Sequence, residues 1–137
     1  MPKIKDPKKS GGQNISAPQT SKDTPGQLTH PVFCLRHLQP KYDVEDCEAD
    51  DQRQLIKKFR TLSKMEWSAV EQAPKHGLGK ETIERTSMKV ALPTFITKDV
   101  KLWSIRFSGK KPMVGFRAGA VFHVVWLDHD FSVYNHG

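Results

Sequence analysis

The last stretch of the chain, residues 100–137, most constrains the fold, because it holds three strand-like runs joined by two glycine turns. The first run, residues 100–107, alternates apolar and polar side chains, which is the period of a strand. Its apolar face carries Trp103, Ile105 and Phe107. Arg106 then projects from the opposite face. The pattern predicts that the chain ends in a small antiparallel sheet.

The two later runs, residues 111–117 and 120–128, complete that sheet. Gly115 lies inside the first of them and predicts a bulge or a close backbone approach. The second run is apolar on both faces except at His123, as in a central strand covered on both sides, and we interpret His123 as structural. The sequence does not determine which face of the sheet carries Arg117, because a slip of one residue in the register moves its side chain to the other face.

The rest of the chain supplies a tail, a first strand and a helical layer. Residues 1–29 are rich in Lys, Pro, Gly and Ser, and we expect a disordered basic tail. Residues 30–137 then form one α+β domain. Its strand at 31–38 precedes a helix at 51–64 and a short second helix at 67–73. The long helix has an apolar stripe with helical spacing, made of Leu55, Ile56, Phe59, Leu62 and Met65.

The segment KHGLGKET, residues 75–82, resembles a phosphate-binding loop only superficially. The GxxxxGK[ST] spacing is absent, so we expect a turn that glycine permits. Residues 82–85 predict one more helical turn.

Charge and cysteine content limit the class of function. The formal net charge is +7 and the pI is about 9.5, which favours an anionic partner such as nucleic acid. The two cysteines, Cys34 and Cys47, have no CxxC spacing, which argues against a disulfide scaffold and fits a reducing cytoplasm. No run reaches the roughly 18 apolar residues of a membrane helix. We therefore expect a cytoplasmic protein with no membrane partner.

Two groups of side chains have the chemistry of metal ligands. The acidic run at 42–51 lacks the glycine and spacing of a calcium loop, and it also suits the N-terminal charge of a helix. His129, Asp130 and His136 are suitable ligand types, but their spacing matches no metal motif. We expect neither a metal nor another cofactor.

Four basic residues predict a phosphate-binding face in the last stretch. No acidic residue interrupts them, and Arg and Lys both bind phosphate, Arg through a bidentate fork. They are Arg106, Lys110, Lys111 and Arg117. Edge protection is the alternative role for these charges.

Polar side chains that can exchange protons follow the last strand. Cleavage of RNA by its own 2′-hydroxyl needs a base, an acid and cations that stabilise the phosphate. His129, Tyr134 and His136 are candidates for proton transfer, and Arg106 joins them as a catalytic candidate. This chemistry requires no metal.

The element order and the run WSIRF…MVGFRAGAVFHVVWLDHD resemble the RelE/ParE superfamily of toxins from bacterial toxin–antitoxin modules. The resemblance covers residues 30–137 and implies a small twisted antiparallel sheet packed against two N-terminal helices. It also implies cleavage of ribosome-bound mRNA or inhibition of gyrase, and neutralisation by an acidic antitoxin. Arg106 matches a strand that carries an Arg in the family. Tyr134 and His136 lie near the C-terminal end, where a general base or acid often sits.

These observations favour a metal-independent endoribonuclease that cleaves RNA, with ribosome-bound mRNA as one candidate substrate, and that an antitoxin neutralises. The alternative is a non-catalytic module of a mobile element that binds nucleic acid or protein and inhibits a host enzyme.

Overall fold

The computed structural model of the protein describes residues 28–136. Most of the predicted tail, residues 1–27, lies outside the described residues. The two remaining residues of that segment belong to the folded part. Leu28 packs against the core, and the carbonyl of Thr29 accepts a hydrogen bond from the backbone N–H of Trp67 at 2.7 Å.

Within the described residues, five strands form one sheet, with a layer of helices on one face. In chain order the elements are β1 (Val32–Cys34), α1 (Ala49–Ser63), α2 (Trp67–Gln72), α3 (Lys75–Leu78), β2 (Lys80–Ile83), β3 (Leu102–Ser108), β4 (Lys111–Ala118) and β5 (Val121–Leu127). The α+β class is confirmed, and so are the two main helices and the three C-terminal strands.

The sheet is mixed rather than purely antiparallel. Its strand order is β1-β5-β4-β3-β2, and β1 runs parallel to β5 while all other neighbours are antiparallel. Tight turns force β3, β4 and β5 to alternate in direction. A connection through all three helices and three further strands separates β1 from β5, so no turn fixes their relative direction.

Both faces of the sheet are buried. On one face, the predicted core residues of β3 pack with Leu55 and Leu62 of α1. On the other, Leu102 and Trp126 pack under Ile96 and Val133, which come from the β2–β3 connection and the chain end. The predicted stripe of α1 is right except at Ile56, which is 64% exposed.

Strand β2 occupies a position where the sequence predicts a turn and the start of a helical turn. Gly79 ends α3 in the left-handed region with φ of 71°, which redirects the chain as glycine caps commonly do. The next four residues then pair with β3, from Lys80 opposite Ile105 to Ile83 opposite Leu102. The helical turn predicted at 82–85 is wrong, because the open edge of β3 offers these residues a ladder of backbone partners.

Two irregularities change which side chains share a face. The β3–β4 register shifts between Arg106 and Ser108, and the β4–β5 register shifts at Gly115. A Cβ atom on Gly115 would lie 2.9 Å from the carbonyl carbon of His123. The close approach predicted at this glycine is therefore present.

Candidate functional site

A cleft of about 260 Å³ opens beside β3, between the β3–β4 turn and the end of the chain. Its walls come from Gly79, Glu81, Ser104, Arg106, Lys110, Pro112, Phe131, Tyr134 and His136. The structure thus brings together four of the site residues that the sequence predicts. They are Arg106, Lys110, Tyr134 and His136.

The end of the chain is held against the sheet by backbone contacts. The N–H of Lys89 donates to the carbonyl of Val133, and the N–H of Asn135 donates to the carbonyl of Ser87, both at 2.8 Å. Tyr134 lies between these two bonds and forms a bridge with Met88. The segment after β2 therefore fixes the backbone on either side of the Tyr134 side chain.

Asp128 orients the last histidine, and the sequence reasoning missed it. Its carboxylate is fully buried. One oxygen, Oδ1, accepts from the backbone N–H groups of Ser132 at 2.8 Å and Val133 at 3.3 Å. The other, Oδ2, lies 3.0 Å from Nε2 of His136. Because a carboxylate accepts, neutral His136 carries its proton on Nε2 and leaves Nδ1 as a proton acceptor.

The one signal for Asp128 in the sequence is its position directly after a buried apolar strand. A polar residue there lies at the end of β5, where the chain turns. The partners of its side chain are four, five and eight residues further on, which no short-range pattern reveals.

Two aromatic rings of the cleft pack against His136, and one of them, Tyr134, carries a phenol proton. The rings of Tyr134 and His136 lie 3.9 Å apart, and Phe131 meets His136 edge-on at 5.2 Å. Burial raises the pKa of the Tyr134 phenol, a hydrogen bond with Ser104 opposes the shift, and the charge of Glu81 adds to it. The phenol therefore stays protonated at neutral pH and can donate a hydrogen bond.

Arg106 supplies a cation that binds no carboxylate of the described residues. Of the ion pairs within residues 28–136, none includes its guanidinium. The side chain is half-buried and lies across Gly79, where a Cβ atom would be 2.6 Å from Arg106 Cγ and 2.9 Å from Cβ. Glycine at position 79 thus provides both the left-handed turn and the space for the arginine stem.

We expect Gly79→Ala to displace Arg106 and to reduce any function of the cleft. The substitution carries a cost of about 1–2 kcal/mol for the left-handed backbone, and its methyl group collides with the arginine stem. Gly109→Ala is the matched control, because Gly109 also has positive φ, at 58°, but has open space where the Cβ would lie. Gly79→Ala should lose more stability in urea unfolding than Gly109→Ala, because the collision adds to the backbone strain that both variants share. Equal losses of stability in the two variants would show that Gly79 does not position Arg106.

Two predicted phosphate ligands lie on the helix side of the sheet instead. Lys111 binds the buried carboxylate of Asp51 at 2.8 Å. Arg117 pairs with Glu71 at 2.7 Å and stacks over the ring of Trp67, with 4.3 Å between its guanidinium carbon and the ring centroid. Both cations already have partners in the fold, and neither lines the cleft.

The other two histidines of the C-terminal stretch also lie outside the cleft. His129 contacts the carbonyl of Lys41 at 2.9 Å through Nε2. His123 stacks on Phe116 with 4.9 Å between ring centroids. Its Nδ1 has no hydrogen-bond partner among the described residues, and burial together with the charge of His37 lowers its pKa. A neutral, stacked ring agrees with the structural role that we assigned to His123.

Within residues 28–136, no group of three His, Cys, Asp or Glu side chains is arranged to hold a metal ion. Asp43 from the acidic run caps a short 3-10 turn, and Asp51 pairs with Lys111. His129 and His136 bind separate partners. In the same part of the chain, no helix combines the length and apolar character needed to cross a membrane.

Comparison with protein-family models, with curated proteins and with solved structures gives no match to this chain.

Proposed function

We propose that the protein is a metal-independent endoribonuclease and that the Arg106–His136 cleft is its active site. The observation that carries this proposal is the buried Asp128, which orients His136 beside the phenol of Tyr134 in a cleft that also holds Arg106 and Lys110. An oriented base, a protonated acid and two cations are the groups that RNA cleavage by the 2′-hydroxyl requires.

The base in this mechanism is Nδ1 of His136. It takes the proton from the 2′-hydroxyl as the 2′ oxygen forms a bond to phosphorus. Asp128 accepts from Nε2–H and stabilises the imidazolium that results, because its carboxylate is held by two backbone N–H groups. General-base catalysis by a positioned side chain contributes about 10²–10⁴-fold to a rate.

The departing 5′ oxygen receives its proton from the Tyr134 phenol as the bond from phosphorus to that oxygen breaks. A buried phenol remains far more acidic than an alcohol, so a raised pKa does not prevent the transfer. Arg106 and Lys110 stabilise the charge that develops on the phosphate oxygens. The products are a 2′,3′-cyclic phosphate and a 5′-hydroxyl. Return of one proton from the His136 imidazolium to the Tyr134 phenolate, directly or through water, restores both groups.

The resemblance to RelE-like toxins supports this reading through the position of Arg106 on its strand and of Tyr134 and His136 near the chain end. Ribosome-bound mRNA as the substrate and an acidic antitoxin as the partner stay predictions. The net charge of +7 suits either anionic partner.

Expression of the chain alone is expected to arrest growth and to produce new transcript ends with 5′-hydroxyl groups. Arg106→Ala and His136→Ala should relieve the arrest and lower cleavage of purified RNA by at least about 10²-fold. Cleavage should continue in a chelator, and a deoxynucleotide at the cleaved position should block it. His129→Ala is the control, because His129 lies outside the cleft.

If Arg106→Ala and His136→Ala arrested growth as strongly as the wild type and the His129→Ala control, the cleft would be rejected as the active site. Growth arrest without cleaved RNA, together with stoichiometric binding of RNA or of a host enzyme, would favour the alternative of a non-catalytic inhibitor.

A further inference from the structure

A second polar groove, of about 270 Å³, adjoins the cleft on the helix side of Arg106. Three of its lining residues, Gln54, Lys58 and Thr61, come from α1, where spacings of four and three residues place them on one face. Arg106 and Phe107 of β3 and Gly109 of the following turn complete the walls. Arg106 therefore lines both the groove and the cleft.

The groove carries positive charge without a carboxylate to balance it. Lys58 is half-buried, and no ion pair within residues 28–136 includes Lys58 or Arg106. Desolvation and the positive charge of Arg106 both lower the pKa of Lys58. Two cations held near each other in this way oppose folding slightly, and an anion between them would relieve the repulsion.

The remaining polar groups of the groove suit a phosphate and its sugar. The amide of Gln54 and the hydroxyl of Thr61 can each donate a hydrogen bond, and within the described residues neither side chain forms one. With the ammonium of Lys58 and the fork of Arg106, four kinds of donor converge on one polar groove. Among residues 28–136, no acidic side chain is part of this lining.

We propose that the Lys58 groove binds the phosphate next to the scissile one on the same single strand of RNA. The inference rests on the proposed function for the position of the scissile phosphate, which the cleft places on the other side of Arg106. A strand that crosses Arg106 has one phosphate on each side of the guanidinium. Arg106 then contacts both, and Lys58 contacts only the neighbouring one.

This arrangement also assigns a length requirement to the substrate. A dinucleotide has only the scissile phosphate and leaves the groove empty, whereas a trinucleotide can fill both. The second phosphate should therefore increase affinity, and the increase should depend on Lys58.

The test measures binding of a labelled all-deoxy single strand, which resists cleavage, across a range of salt concentrations. Each phosphate contact contributes a slope of about −0.7 to log K against log[salt] for single strands. Lys58→Met should reduce the slope by about that amount. Lys57→Met is the matched control, because Lys57 is the exposed neighbour on the same helix and does not line the groove, so its slope should equal that of the wild type.

A second measurement locates the contact. A single strand with one neutral methylphosphonate linkage is synthesised with that linkage at each position in turn. At the neighbouring position, the linkage should weaken binding to the wild type more than binding to Lys58→Met, in which Arg106 is the cation that remains. The midpoint of thermal unfolding of Lys58→Met should be no lower than that of the wild type, because the substitution removes a repulsion between two cations rather than a stabilising contact.

The outcomes separate the groove from the proposed function. Equal slopes for Lys58→Met and Lys57→Met, or a methylphosphonate that affects both proteins equally, would overturn the groove assignment even if RNA is cleaved. If Lys58→Met lowered the slope, Lys57→Met did not, and the wild type cleaved no RNA, the groove would remain a phosphate site. The ribonuclease proposal would then be rejected.

Discussion

Asp128→Asn is expected to reduce RNA cleavage by about 10²–10⁴-fold, which is the contribution of a positioned general base, while leaving the fold intact. The amide oxygen can still accept from Ser132 and Val133, which bind the same oxygen of the carboxylate. The amide nitrogen must then face His136 and donate to Nε2. The proton of the imidazole moves to Nδ1, and the base loses its free electron pair.

The measurement combines single-turnover cleavage with nitrogen NMR of the His136 ring, because a purely structural role would not move the tautomer. Asp130→Asn is the control, since Asp130 is exposed, bonds the nearby hydroxyl of Ser132 at 2.6 Å and does not line the cleft. Its cleavage rate should match that of the wild type. A shifted tautomer in Asp128→Asn with an unchanged cleavage rate would show that His136 is not the base.

Local periodicity was sufficient for much of the fold. The alternation in β3 correctly separates the buried Trp103, Ile105 and Phe107 from Arg106, and the helical stripe correctly locates α1. Such patterns succeed because each depends on neighbours two to four residues apart. The alternation therefore predicts that Arg106 starts from the face opposite the helices, but it does not predict that the side chain also reaches the groove beside α1.

The two register shifts explain why the basic residues separate. With unbroken alternation, Ser108 would share the face of Arg106. The shift at Phe107 instead brings Ser108 and Lys111 opposite each other and directs both toward Asp51 on α1. A bulge depends on how two strands pair, so the sequence of one strand does not reveal it.

The cleft itself depends on contacts between distant segments. Gly79, at the end of α3, accommodates Arg106 on β3, and the chain end is held by the segment around Ser87. Similarly, Arg117 shares a face with Phe122, while the shift at Gly115 places Trp126 on the other face. Each contact joins residues that a sequence window does not compare.

Lys111→Met is expected to destabilise the protein by about 3 kcal/mol, at the low end for a broken buried ion pair because the lysine is partly exposed. Asp51 is 4% exposed and accepts from Lys111 at 2.8 Å and from Ser108 at 2.7 Å. Without the ammonium, its carboxylate remains buried and keeps the hydroxyl of Ser108 but loses its counter-charge. Lys110→Met is the control, because Lys110 is exposed in the turn and should change stability by no more than about 0.5 kcal/mol.

The two neighbouring lysines should therefore show opposite effects. Lys110→Met should weaken RNA cleavage with little change in the urea midpoint, and Lys111→Met should lower the midpoint strongly. The double variant Asp51→Asn with Lys111→Met should recover most of the lost stability, because it removes the buried charge. Equal urea midpoints for Lys110→Met and Lys111→Met would contradict the assignment of Lys111 to the fold.

The loss of stability in Lys111→Met should also depend on pH. Desolvation raises the pKa of Asp51, but hydrogen bonds from Lys111 and Ser108 and the charge of Lys111 outweigh it, so the folded pKa lies below the ordinary value of 3.8. A depressed carboxyl pKa stabilises the fold above the unfolded pKa, and the contribution is lost as pH falls through the folded value. In Lys111→Met the lysine no longer lowers the pKa of Asp51, and protonation of Asp51 removes the buried charge. Urea unfolding should therefore show the largest gap between wild type and variant near pH 7, and a gap that narrows below about pH 4.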